Sequence, residues 1–150
     1  MNVNLKPSDR VAVSGAIDPD VTAAGTVTTG WLSIAQFGSL MAIVMTGTLG
    51  SSATVDAKLE QATDSSGTGA KDVTGKAITQ LTQAGTDESD SQAIINCGQQ
   101  DLDVDNDFAF VRLSITVAVA TSDVGGLLLG FDPAYAPASD NDAATVLEVV

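Results

Sequence analysis

The chain contains no histidine. This removes the commonest general base, the usual nitrogen ligand for metals, and every Ser-His or Cys-His nucleophile pair. Cysteine occurs once, at Cys97, so no disulfide can form within the chain. That residue sits in the apolar stretch AIINCG, with no cationic group close in sequence to activate it, and is read as a buried, inert thiol. Basic residues are few: six against nineteen acidic, for a net charge of −13. Lys6, Arg10, Lys58, Lys71, Lys76 and Arg112 are scattered and form no patch that could neutralise phosphates. Nucleic acid and anionic membrane are therefore not expected partners. Aromatic residues make up only 4% of the chain, too few to line a sugar cleft. No stretch approaches the roughly 20 apolar residues of a membrane helix. The opening MNVNLKPSDR has no apolar signal core, so synthesis and folding in the cytosol are expected.

What remains is the vocabulary of β-structure. The 150 residues are 44% hydrophobic, carried mainly by Ala and Val, with abundant Thr, Ser and Gly. A chain of this length suits one domain that buries roughly 70% of its unfolded surface. Residues 1–9 are polar and read as an arm, and 10–150 as a single β-sandwich domain. RVAVSGAI at 10–17 reads as a first strand and IDPD at 17–20 as a turn. Thr26 to Ile34, interrupted by Gly30, reads as two short strands or one bulged strand.

Leu40 to Thr48 is a nearly unbroken apolar run, the pattern of a strand covered on both faces. In Thr54 to Ala62, Val55, Ala57 and Leu59 alternate with Asp56, Lys58 and Glu60, giving one dry face and one wet. DSSGTG at 64–69 reads as a loop, 76–82 as a short strand, GTDESDS at 85–91 as an acidic loop and Gln92–Cys97 as a strand. Phe108 to Ala120 is the strongest strand, with Val111, Leu113, Ile115, Val117 and Val119 on one face. A turn at 122–125, a strand at 126–131, breaks at Pro133 and Pro137, and a terminal strand at 145–150 complete the reading. About eight strands and little or no helix predict an all-β, antiparallel β-sandwich of jelly-roll type.

The chemistry-bearing candidates are sparse. SGTGAK at 66–71 lacks the spacing of a phosphate-binding loop. Asp101, Asp103 and Asp105 stand at alternate positions and are candidate calcium ligands through oxygen. An EF-hand loop starting at Asp101 would need Gly at its sixth position and Glu at its twelfth, where Asn106 and Arg112 stand, so that motif is excluded. The plainer reading is an acidic turn. No other metal, catalytic group or cofactor is indicated. Trp31 is expected in the core, whereas Tyr135, between two prolines, is the better candidate for an exposed contact.

VDAKLEQATDSSGTGAKDVTGKAITQLT at 55–82, FVRLSITVA at 110–118 and LLLGFDPAYAP at 127–137 together resemble a family of small all-β structural proteins of tailed bacteriophages and prophages, of the head decoration or auxiliary capsid type. The resemblance implies a non-enzymatic virion component on the capsid surface, made in the host bacterial cytoplasm. It implies the major capsid protein and further copies of the chain as partners, with a homotrimer favoured. Residues 1–9 and the C-terminal segment would be its arms, with Tyr135 and Val149 as interface candidates. Tail or connector placement is the nearest alternative, and a carbohydrate-binding module on the virion surface the next.

Overall fold

A computed structural model describes residues 4–150, so the first three residues of the expected arm lie outside it. Ten strands follow a short 3₁₀ turn at Pro7–Asp9. They are β1 (Val11–Thr22), β2 (Gly25–Thr28), β3 (Leu32–Ser33), β4 (Phe37–Thr46), β5 (Thr54–Ala62), β6 (Lys71–Ala77), β7 (Leu81–Thr82), β8 (Gln92–Gly98), β9 (Phe110–Ala118) and β10 (Ser122–Pro133). Further 3₁₀ turns occur, and no α-helix is present among the described residues. One sheet has the order β1-β10-β4-β8; the other runs β2-β9-β5-β6, with β3 also on β9 and β7 also on β5. All the pairings are antiparallel. β2 and β3 lie end to end along β9, and β6 and β7 end to end along β5, so each pair acts as one interrupted strand. Numbered as eight, the strands order 1-8-3-6 and 2-7-4-5. The protein is an antiparallel β-sandwich with jelly-roll topology.

The two sheets meet through their period-two inner faces. Leu40, Ala42 and Val44 of β4 and Leu128 of β10 face Val55, Leu59, Val111, Leu113, Ile115 and Val117 of the other sheet, all essentially inaccessible to water. Two glycines on β10 fit this interface closely. A Cβ at Gly126 would stand 2.7 Å from Leu113, and one at Gly130 would stand 2.5 Å from the buried Phe37 ring. The missing side chains leave the room these large residues occupy.

Several expectations are corrected. The first strand does not end at a turn: β1 runs through 17–20, absorbing Asp18-Pro19 as an irregularity between Ile17 and Asp20. Pro19 is tolerated because β1 is an edge strand. β9 stops at Ala118; Val119 turns out at φ 72° and is exposed, so the turn lies before Ser122 and β10 starts there. β6 begins at Lys71, earlier than expected. Residues 145–150 form no strand. The outer edge of β1 is already engaged there: Val13 N–H donates to Asp142 Oδ1 at 2.7 Å, and Ala143 N–H donates to Val13 C=O at 2.7 Å. A β-prone tail without a free neighbouring edge has no ladder to join.

Replacing Gly130 by Ala places a methyl group inside the Phe37 ring. Gly130→Ala is expected to lose about 1–3 kcal/mol in urea unfolding. Gly30→Ala, where a Cβ meets nothing within 4 Å, is expected to stay within about 0.5 kcal/mol of the parent.

Candidate interaction surface

The outer faces of the two sheets differ in kind. On the face formed by β5 and β9, Glu60 lies opposite Arg112 in register. Its carboxylate accepts from Arg112 Nε at 2.7 Å and pairs with Lys58 Nζ at 3.4 Å. Lys58 in turn pairs with Asp72 at 2.6 Å, and this contact chiefly raises its pKa. Thr26 and Thr116, cross-strand partners, share a hydroxyl hydrogen bond of 2.8 Å. Arg112 also lies over the Trp31 ring, 4.5 Å from its centre. Trp31 is therefore not a core residue. It is half-buried, and a Cβ at Gly67 would come within 2.6 Å of its indole nitrogen. This face is charged, paired and wet.

The outer face of the four-stranded sheet carries no charge in its middle rows. The register sets Val13, Leu129, Met41 and Asn96 side by side; the next row is Ala16, Leu127, Ile43 and Ile94. Val11 and Phe131 extend it at one end, and Met45 at the other. Most are half-buried by their neighbours, and Ile94 on the edge strand is 59% exposed. The apolar run of β4 is thus covered on one face only: Leu40, Ala42 and Val44 point into the core while Met41, Ile43 and Met45 point out. Continuous apolar patches of this kind mark surfaces of interaction.

Shallow depressions lie at both ends of this face. One is lined by Ser39, Met41, Asn96, Gln100, Phe131 and the Lys76–Asp101 pair, the other by Met45, Gln92, Asp20, Asp90 and Asp123.

The acidic turn at 101–107 is organised by lysines. Asp101 accepts from Gly98 N–H at 2.8 Å and pairs with Lys76 at 2.9 Å. Asp103 pairs with Lys71 and accepts from Asn106 Nδ2 at 2.8 Å. These contacts hold both carboxyls below their usual range, the Gly98 N–H acting most strongly on Asp101 and Lys71 on Asp103. Lys71 also lies over Phe108, 3.9 Å from the ring centre. Asp101 and Asp103 are turned toward different lysines, and among the described residues no three acidic or thiol side chains converge as a metal site would need.

Tyr135 is 87% exposed, in surroundings of Ala35, Gln36, Ala134, Asp140 and Asn141. Val149 is 51% exposed in a tail whose Leu147 is also bare. The structure does not bring Tyr135 and Val149 into one cluster with the aspartates. The sequence does not single out this outer face, because an unbroken apolar run reads equally well as a strand buried on both sides.

No family model matches the chain, and no curated protein matches it. Among solved structures, it is similar to a chain of the Cowpea Mosaic Virus empty virus-like particle, at 12% identity and TM-score 0.41, over 91% of this chain and 87% of that one. A chain of infectious bursal disease virus, Gx strain, is similar at 12% identity and TM-score 0.40, over 93% of this chain and only 38% of that one. A chain of Broad Bean Stain Virus follows at 14% identity and TM-score 0.37, over 88% and 90%. The fold assignment rests on the strand order itself.

Cys97 lies inside the sandwich, where burial, with the Asp101 charge beside it, pushes its thiol up to about 11. The native protein is expected to leave Cys97 unmodified by a thiol reagent at pH 8 and to react with one equivalent after unfolding in guanidinium. Fast labelling of the native chain would contradict the packing described.

Proposed function

We propose that this chain is a non-enzymatic structural protein of a virus particle, a decoration or cement protein bound to the outer capsid of a tailed bacteriophage. The observation that carries the reading is the apolar outer face of the four-stranded sheet, without charge in its middle rows, on a jelly-roll framework. Such a face works by being covered by protein. The resemblance of 55–82, 110–118 and 127–137 to phage head proteins supplies the particle. In this reading residues 10–150 are one sandwich domain and 1–9 an arm. The exposed tail with Leu147 and Val149 is a second arm, and Tyr135 a contact at the rim. The partners are the major capsid protein and further copies of the chain, with the homotrimer as the expected assembly. Location on the virion surface after synthesis in the host bacterial cytoplasm completes the proposal.

Purified particles from the source are expected to contain the chain in many copies, and cryo-electron microscopy to place it at repeated, symmetry-related positions on the outer shell. Truncation after Ala144 is expected to lower its occupancy. Particles that lack the protein would overturn the proposal. Density confined to the tail or connector would favour the alternative placement.

A further inference from the structure

We propose that the outer face of the four-stranded sheet packs against the same face of a second copy of this chain, with the two copies reversed end for end so that the faces stack antiparallel. This rests on the self-association in the functional reading above, is a two-fold pair in solution distinct from the homotrimer named there, and does not depend on the particle.

Three observations favour a second copy as the occupant. The first is self-complementarity. Rows built on Leu127, Leu129, Met41 and Ile43 have no charge to satisfy, so one copy of the face suits another across a two-fold axis. Sheets pack face to face at about 10 Å in this way. The second is net charge. A chain at −13 repels its copies, and the middle of this face offers an approach that desolvates no ion.

The third is the distribution of charge at the two ends of the face. Asp20, Asp90 and Asp123 line one end, and none of them forms an ion pair among the described residues. The other end is near neutral: Arg10, without an ion pair among the described residues, stands there with Asp132, and Lys76 is paired to Asp101. Antiparallel stacking sets the carboxylates of each copy over the cation-bearing end of the other. Parallel stacking would bring both carboxylate sets together.

Taken alone the face is smaller than a standard stable interface, so the pairing is a weak, reversible one. Four strands at about 4.8 Å spacing and seven residues at about 3.4 Å rise give a footprint of roughly 450 Å² before side-chain relief. A stable interface buries about 800 Å² of accessible surface per partner. Side-chain relief adds to the footprint.

Sedimentation equilibrium of the full chain, from about 1 µM to about 1 mM, reads the pairing directly. A reversible dimer is expected. Ile43→Lys, central to the face, should weaken it by about 30-fold or more, and Ile94→Lys at its margin should weaken it severalfold. Thr116→Lys on the opposite sheet should leave it unchanged. Arg10→Asp should weaken association, and Arg10→Asp combined with Asp123→Arg should restore it. Ile94 is exposed on an edge strand, so its variant keeps the fold, with cooperative unfolding as the check. A monomer throughout the range would overturn the proposal. An oligomer, dimer or trimer, indifferent to both lysine substitutions would also overturn it. Particle binding by a chain that is monomeric in solution would sink this pairing and leave the virion reading standing; dimerisation without particle binding would do the reverse.

Discussion

The fit of β9 and Phe37 against the glycines of β10 is the constraint on which the rest of the structure depends. Leu127, Leu128 and Leu129 are consecutive, so hydrophobicity alone does not decide which of them faces the core. A shift of one residue would still bury a leucine. Gly126 and Gly130 decide it, because only positions without a Cβ fit against Leu113 and the Phe37 ring. Once they face inward, Leu128 faces inward with them, and Leu127 and Leu129 are forced outward. The apolar outer face therefore follows from the register of the core.

The two outer faces then take opposite roles. On β5 and β9 the outward positions hold Asp56, Lys58, Glu60 and Arg112, tied by ion pairs and hydrogen bonds that water can share. Exposed pairs of this kind contribute little stability each, and they keep that sheet soluble. In the middle rows of β4 and β10 the outward positions hold leucines, a methionine and an isoleucine with nothing to pair. One sheet faces solvent, and the other is suited to another protein surface.

Much of the fold was legible in the sequence. Alternation in Val55–Glu60 and in Val111–Val117 gave both strands their correct faces, because one side of each carries charge. The all-β, jelly-roll class followed from strand spacing, whereas the count of about eight strands becomes ten because two of them are interrupted. Other features depend on tertiary context. The Leu40–Thr48 run looked doubly buried because an interface strand and a core strand share one composition. The 145–150 segment has every local mark of a strand, yet the β1 edge beside it is engaged by Asp142 and Ala143. A lone tryptophan suggests a core residue, whereas Arg112 and Gly67 hold Trp31 on the wet face. Tyr135 is exposed because β10 ends at Pro133 and its segment lies beyond the sheet.

The central claim is that protein covers the outer face of the four-stranded sheet. Met41 and Met45 both point out of that face, and thioether oxidation follows exposure. Peroxide footprinting read by mass spectrometry, in the concentrated full chain and in its Ile94→Lys variant, tests the claim most directly. The account predicts that both methionines oxidise several-fold more slowly in the parent than in the variant, and that the difference vanishes on dilution. Equal rates in parent and variant at every concentration would contradict it.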